Sequence, residues 1–478
     1  MAGKVYLVGG GPGALDLYTL KAMRCIEEAD CLVYDRLIDE RILNYVKEDC
    51  ECIYVGKQSH YHTMKQEDIN ALLVEKAKVY EKVVRLKGGD VFVFGRGGEE
   101  ALTLYENHID FEVVPGLSSS IAGLCYGGIP ITHRGLSSGF EVVTAHFQNQ
   151  QDEWDYQRFL NDDLTYVFMM GKAKLSVIVE QLLKVGKNPQ TPMALISNAT
   201  LPNQDACYGT LETILDMYDK HPLPSPLLIV LGQVVSLHTK LDFFTKKPYF
   251  QTHVLITTLN GKQSVLTQYF QEQGAMVDQL QLGKIEYIQP IQIPSFDHSV
   301  IVLTSQNGVK GFFKWLSQER FDLRQLSHAR FACIGQKTEQ VLNQYGFYSD
   351  ILSHQANSIA FNLDLKKYVH DDEHMIVICE KSHCAIERLH ETDQYISVYE
   401  NEEIEINVDK HYDLACFTCA SSVQRLSQQA CTFEKALSIG PMTTKAIRQY
   451  YPDVEIIEAS HSSYQGMIEK MEGIKDVL

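Results

Sequence analysis

The residues best placed to do chemistry lie in one stretch, VVRLKGGDVFVFGRGGEE at 83–100. Arg85, Lys87 and Arg96 stand beside Asp90, Glu99 and Glu100, and glycines occupy 88, 89, 95, 97 and 98. Glycine admits a ligand close to the main chain and adopts positive φ, so these turns are candidate ligand contacts framed by both signs of charge. The bland alternative is a solvated corner between a strand and a helix. Positioning such turns requires a strand before them and a helix after them. Val83 to Leu86 has the first character, and the run from Glu99 the second. In α/β sheets ligands bind outside the carboxyl ends of the strands, where these turns fall.

Upstream, the strand-like 4–8 runs into Gly9-Gly10-Gly11-Pro12-Gly13, then a helix-like 20–29 and a second strand at 31–34 that ends at Asp35. That order makes a βαβ unit and a parallel sheet. Gly9-x-Gly11-x-x-Ala14 with Asp35 matches the dinucleotide fingerprint, which keeps a nicotinamide dehydrogenase as an alternative. Pro12 counts against it, because it removes an N–H that would face a pyrophosphate. His60-x-His62 has metal-ligand character but no third ligand at a telling spacing, and reads as a solvated loop.

The 478 residues suffice for about three or four domains. Apolar content of 45% and charged content of 22% are those of a soluble globular protein, and no apolar run reaches the length of a membrane span. The 12 cysteines lack a framework spacing, which fits a reducing cytoplasm. A net charge of −18 argues against nucleic acid as a partner, and any polyanionic substrate must be held by a local Arg and Lys cluster. After Pro115-Gly116-Leu117-Ser118-Ser119-Ser120 and a hinge at 127–134, strands at 140–144, 165–169, 193–196 and 227–231 alternate with helices, which predicts a second α/β subdomain.

GGGPG, VYDRL, VGK, VVRLKGGD, FGRGGEE, VPGLSSS, GGIPITHR and MMG occur in that order between residues 4 and 245. This closely resembles the uroporphyrinogen-III C-methyltransferases of the tetrapyrrole methylase family. The resemblance implies S-adenosylmethionine as donor (S-adenosylhomocysteine as its product), methylation of uroporphyrinogen III at two rings, precorrin-2 as product, and a homodimer. It places donor contacts at Pro12, Gly88, Gly89, Asp90, Val93, Ser118, Ser119, Met170 and Ala199. Tetrapyrrole contacts fall at Arg96, Glu99, Arg134 and Met170, a proton acceptor at Asp35 and a proton donor at Lys57, with Arg96 also counted among the catalytic groups. The residue types suit the chemistry: guanidinium forks pair bidentately with carboxylates, and a base must remove a proton after methyl addition. Val91 stands where the family has proline, Ser118-Ser119 where it has Thr-Ala, and Ala199 where it has glycine.

Lys246-Lys247-Pro248 marks a boundary. The expected division is a methyltransferase at 1–245 (subdomains about 1–133 and 134–245), a linker at 246–251 and a second unit at 252–478. Further strands are expected at 300–305, 331–335, 375–379, 395–399, 414–418 and 436–440. Residues 303–309 echo 417–423 and 333–338 echo 438–443, each with hydroxyls at a strand end beside a helix start. Such duplication predicts two similar α/β halves around a cleft. This region resembles uroporphyrinogen-III synthase, which implies cofactor-free cyclisation of hydroxymethylbilane with inversion of the last ring. Tyr399 matches the family's cleft tyrosine, and Ser421 and Thr443 its hydroxyls. The family arrangement would pair 252–285 with 401–478 in one lobe around an inserted lobe at 290–395. A catalytically inactive tetrapyrrole-binding module is the alternative, and Cys416-x-x-Cys419 reads as core packing rather than a redox pair.

Overall fold

The computed structural model describes residues 2–56, 64–145, 154–259, 261, 263–355, 357–382 and 384–474. The chain divides into two compact units, residues 1–252 with 271–276, and 253–270 with 277–478. Among the described residues no helix is long and apolar enough to cross a membrane.

In the first unit, β1 (Lys4–Gly9), β2 (Cys31–Tyr34), β3 (Glu51–Tyr54), β4 (Lys82–Lys87) and β5 (Phe111–Val114) make a sheet in the order β3-β2-β4-β1-β5. All neighbours are parallel, so each connection must cross over the sheet, and α1 (Leu20–Glu27), α2 (Gln66–Ala77) and α3 (Gly97–Glu106) provide three of the crossings. Val5, Leu7 and Val8 on β1 and Val83, Val84 and Leu86 on β4 are fully buried, as a parallel sheet covered on both faces requires. The chain leaves β1 towards β2 and leaves β4 towards β5, so the switch in winding falls between the two central strands.

A second sheet follows helix α4 (Ser119–Tyr126). It contains β6 (Gly139–Thr144), β7 (Leu164–Met169), β8 (Pro192–Ser197), β9 (Asp205–Thr210) and β10 (Leu227–Leu231), in the order β6-β7-β10-β8-β9. Only β6 and β7 are parallel; the other pairs are antiparallel. β9 has no strand signal in the sequence, because it is a half-buried edge strand with Cys207 as its one buried residue. On α5 (Leu175–Lys184), Leu175, Ile178, Val179 and Leu182 recur at helical spacing and pack with Phe159, Tyr166 and Phe168. α6 (Ile214–Lys220) and α7 (His238–Leu241) complete this layer.

The second unit holds two further sheets. One contains β11 (His253–Thr258), β12 (Met276–Gln281), β19 (His411–Phe417), β20 (Thr432–Ser438) and β21 (Glu455–Glu458), in the order β12-β11-β19-β20-β21. The other contains β13 (Gly283–Tyr287), β14 (Ser299–Leu303), β15 (Arg330–Cys333), β16 (Ile351–Leu352), β17 (His374–Glu380) and β18 (Gln394–Glu403), in the order β13-β18-β17-β14-β15-β16. The run β11-β19-β20-β21 in one repeats β17-β14-β15-β16 in the other, which is the structural form of the sequence echo. β11 lies beside β19 across more than half of the unit's sequence, with Val254 opposite Leu414. β13 and β18 pair antiparallel from Gly283–Glu403 to Tyr287–Tyr399, so the divisions expected at 285 and 401 fall inside this strand pair. Helices α8 (Val265–Glu272), α9 (Gln306–Gln318), α10 (Gln336–Asn343), α11 (Ser358–Tyr368), α12 (Ala420–Leu426), α13 (Pro441–Tyr450) and α14 (Tyr464–Glu472) cover the sheets.

Candidate functional site

The loops after β1, β4 and β5 meet at the carboxyl edge of the first sheet. Gly11 and Gly89 form an isolated antiparallel bridge, with N–H to O distances of 3.1 and 2.6 Å, and the N–H of Gly10 donates to the Lys87 carbonyl at 2.7 Å. A Cβ on Gly116 would stand 2.3 Å from the Gly89 oxygen, and one on Gly9 would stand 2.6 Å from the Gly116 nitrogen. Three backbones therefore touch where no side chain fits. Gly89 itself, at φ +71°, has open space where its Cβ would be. This is a main-chain cradle open on one side.

Asp90 closes the group. Its Oδ1 accepts from the Phe92 N–H at 2.9 Å and its Oδ2 from the Gly116 N–H at 3.1 Å, so the carboxylate ties the loop after β4 to the loop after β5. Ser118 caps α4 by accepting from the Ser120 N–H, and Ser119 begins that helix half-buried. The second sheet reaches the same loops: the Ala14 N–H donates to Thr200 Oγ1 at 3.3 Å, and Gly13 abuts Leu201. Ala199 is buried against Gly123 of α4, where an added Cβ would lie 3.0 Å from that of Ala199. Thus the Pro12 turn, Gly88 to Asp90, Ser118 and Ala199 belong to one neighbourhood.

Val93 is 36% exposed between the exposed Phe92 and Phe94, and Met170 stands exposed at the end of β7 with φ +55°. These apolar groups in open loops suit an aromatic or macrocyclic face. Arg96 and Glu99 hold each other bidentately, at 2.8 and 2.6 Å, and both are more than half exposed. Their hydrogen bonds raise the guanidinium and hold the carboxyl below its usual range. An exposed pair of this kind is worth at most about 1 kcal/mol, little enough for an incoming carboxylate to replace Glu99. Arg134 is exposed in the turn closed by His133 and Ser137, and makes no ion pair among the described residues.

Asp35 follows β2, with Oδ1 accepting from the Leu37 N–H at 3.1 Å and Oδ2 from Arg85 Nη2 at 3.3 Å. Arg85, Lys87 and Glu100 are buried below it: Glu100 Oε1 accepts from Arg85 Nε at 3.2 Å and Lys87 Nζ at 2.8 Å. Burial, then the neighbouring Arg85, pull the Lys87 ammonium below its ordinary value. Removing one member of such a buried set costs roughly 3–5 kcal/mol. The family motifs assign no role to Arg85 or Glu100, although both lie in the charged stretch at 83–100; the signal there was charge inside an apolar strand and at a helix start. Lys57, like His60 and His62, lies outside the described residues.

The fingerprint for a dinucleotide loses its physical basis here. Backbone N–H groups at 10, 11 and 14 already have protein partners, Pro12 has none, and α1 begins only at Leu20. No free glycine-rich helix start remains for a pyrophosphate.

In the second unit, Tyr399 is 6% exposed and packs in the core of the β14 sheet. Its hydroxyl lies 2.9 Å from Ser305 Oγ, which caps α9 by accepting from the Gly308 N–H. Burial pushes the phenol up, and the Ser305 contact offsets part of that. Thr338 and Thr443 are buried twins in the first turns of α10 and α13. Ser421, near the start of α12, accepts from Asn401 Nδ2 at 3.4 Å. Arg425 donates to the Leu282 carbonyl (3.1 Å) and, through Nη2, to the Asn401 carbonyl (2.7 Å), so one guanidinium holds both crossings between the lobes. Lys337 Nζ donates to the Ser462 carbonyl at 2.5 Å, which ties the start of α10 to the loop before α14. Cys416 is wholly buried, and burial drives its thiol well up, as a packing role requires.

Comparison with known proteins matches residues 4–215 to the Tetrapyrrole (Corrin/Porphyrin) Methylases and residues 264–469 to the Uroporphyrinogen-III synthase HemD family. The chain is 33% identical to the porphyrin biosynthesis protein HemD of Ruminiclostridium josui, over 98% of this chain and 97% of that one. It is 46% identical to a uroporphyrinogen-III C-methyltransferase of Bacillus subtilis (strain 168), over 51% of this chain and 95% of that one. Among solved structures it is similar to the uroporphyrin-III C-methyltransferase of Thermus thermophilus complexed with S-adenosylhomocysteine. That match has 40% identity and a TM-score of 0.43, and covers 49% of this chain and 99% of the other.

Proposed function

Because the chain belongs to the tetrapyrrole methylases in its first half and to the uroporphyrinogen-III synthases in its second, we propose that it carries out two consecutive steps of tetrapyrrole synthesis. The second half cyclises hydroxymethylbilane to uroporphyrinogen III with loss of water. The first half transfers two methyl groups from S-adenosylmethionine to that product, giving precorrin-2 on the way to siroheme or cobalamin, and acts as a homodimer.

The observation that carries the first activity is the cradle formed by Gly9, Gly89 and Gly116 and locked by Asp90. Open space at the Cβ position of Gly89 is what a ligand pressed against main chain needs, so the residues fit the donor. Pro12, Gly88 to Asp90, Val93, Ser118, Ser119, Met170 and Ala199 would hold it. When bound, S-adenosylmethionine supplies a methyl group activated by its sulfonium. Arg134 and Arg96 bind the acceptor's carboxylates, and the exposed Phe92, Phe94 and Met170 offer apolar surface to its rings. Asp35 accepts the proton released after methyl addition.

In the synthase half, the strand ends and helix starts that carry the twinned hydroxyls form the cleft that folds the linear substrate, and Tyr399, which the sequence placed at the cleft, acts from a buried position beside Ser305. The Tyr399 hydroxyl is held by Ser305, so it orients rather than acting as a free acid. The test is hydroxymethylbilane plus S-adenosylmethionine with the whole chain, products read by mass and isomer. A dimethylated type III product supports both activities; type I product alone overturns the synthase reading, and type III product left unmethylated overturns the methyltransferase reading.

A further inference from the structure

The mechanism above leaves the most deeply buried charge in the first unit, Glu100, without a task. It lies in the first turn of α3 with no exposed surface. Its Oε1 accepts from Arg85 Nε, Lys87 Nζ and Gln66 Nε2, at 3.2, 2.8 and 3.1 Å, while Oε2 has no partner among the described residues. A carboxylate with three donors crowded on one oxygen is placed for its cations, not for its own saturation.

What it does to Arg85 is specific. The guanidinium is fixed by Glu100 through Nε and by the carbonyls of Val33 (3.4 Å) and Leu86 (3.0 Å) through Nη1. Only Nη2 turns outward, and it donates to Asp35 Oδ2 at 3.3 Å. Among the described residues Asp35 is otherwise held only by the Leu37 N–H two residues along its own loop. The direction of the Asp35 carboxylate is thus set by a buried arginine, and that arginine is set by Glu100.

We infer that Glu100 is a positioning residue for methyl transfer, acting on Asp35 through Arg85. This rests on the reading of Asp35 as proton acceptor. Without the Glu100 charge, Arg85 is a buried cation whose one remaining carboxylate partner among the described residues is Asp35. Arg85 then draws that carboxylate inward and away from the acceptor. Small misplacement of a reacting group costs rate, not substrate affinity.

The experiment uses the whole chain with uroporphyrinogen III and S-adenosylmethionine, comparing Glu100→Gln, Asp35→Asn and the double variant. Glu100→Gln should lower kcat for methyl transfer by roughly tenfold to a hundredfold. KM for the tetrapyrrole and Kd for the donor should stay within about twofold. The double variant should be no slower than Asp35→Asn alone, because the two act as one unit. Losses that multiply in the double variant, or an unchanged kcat in Glu100→Gln, overturn the inference while leaving Asp35 in its role. A wild-type rate in Asp35→Asn overturns the proton-acceptor reading, and this inference with it. If Glu100→Gln does not fold, Lys87→Met/Glu100→Gln keeps the buried charge balanced and carries the same comparison.

Discussion

Gly11 and Gly89 exchange backbone hydrogen bonds in both directions, joining the turn after β1 to the turn after β4 at the switch point of the first sheet. That bridge uses the amide that a dinucleotide fingerprint would present to phosphate. It leaves the far side of Gly89 open, and the proposed donor site rests on that opening.

The cradle's tolerance should differ sharply between two glycines. Gly116→Ala places a Cβ 2.3 Å from the Gly89 oxygen, backbone against backbone, and should weaken S-adenosylmethionine binding at least tenfold by calorimetry. Gly98→Ala, inside α3 with nothing within 4 Å of the new Cβ, should fold normally and gain up to about 1 kcal/mol in thermal unfolding. Equal behaviour of the two variants would mean that the loops do not pack as described.

The two acceptor arginines should respond differently to their environment. Arg134→Lys should raise KM for uroporphyrinogen III about tenfold with little change in melting, since Arg134 has no ion pair among the described residues to lose and lysine lacks the planar fork. Glu99→Gln frees the Arg96 fork and should lower that KM at low salt, an effect that added salt erases. A higher KM in Glu99→Gln would instead make Glu99 a direct substrate contact.

Acid should loosen the first sheet through Glu112. On β5, its carboxyl is bound by Lys21 of α1 and Lys4 of β1, and these hydrogen bonds lower it from 4.5 to about 2. A carboxyl depressed in the folded state stabilises fully above its unfolded value, and the contribution is lost as pH falls from about 4.5 towards 2. Amide exchange of β1 and β5 should therefore rise across that window in the wild type. In Glu112→Gln the exchange should already be raised at neutral pH and flat across the window; an acid-dependent rise that persists there would assign the loosening to another group.

In the synthase half, Tyr399→Phe should lower the yield of the type III isomer partially and cost about 1 kcal/mol of stability, because one buried hydrogen bond is lost. Ser305→Ala should cost more stability than Tyr399→Phe, since Ser305 also caps α9. If the hydroxyls work as a pair, the double variant should give the same isomer ratio as Tyr399→Phe alone. A ratio that falls further in the double variant would give Ser305 a separate role.

Much of this was legible in the chain itself. Parallel strands buried on both faces leave continuous apolar runs, and glycine turns must follow them, so the first sheet and the turns at its carboxyl edge could be read locally. Ordered motifs identified the first half, and the echo of 303–309 in 417–423 foretold the repeated strand order of the second unit. Other features depend on partners distant in sequence. β9 carries no periodicity because an edge strand buries little, and only pairing with β8 makes it a strand. Asp90 reads as a ligand contact, yet its oxygens hold Phe92 and Gly116, 26 residues apart in the second case. In the sequence Glu100 stands beside Glu99 with nothing to tell the two apart. The fold separates the two, since successive residues on α3 point in different directions: Glu99 faces solvent and Arg96, while Glu100 is buried on Arg85 and Lys87. Local spacing determines which elements form and which chemistry they can carry; which charges are desolvated, and therefore strong, is decided only when the elements pack.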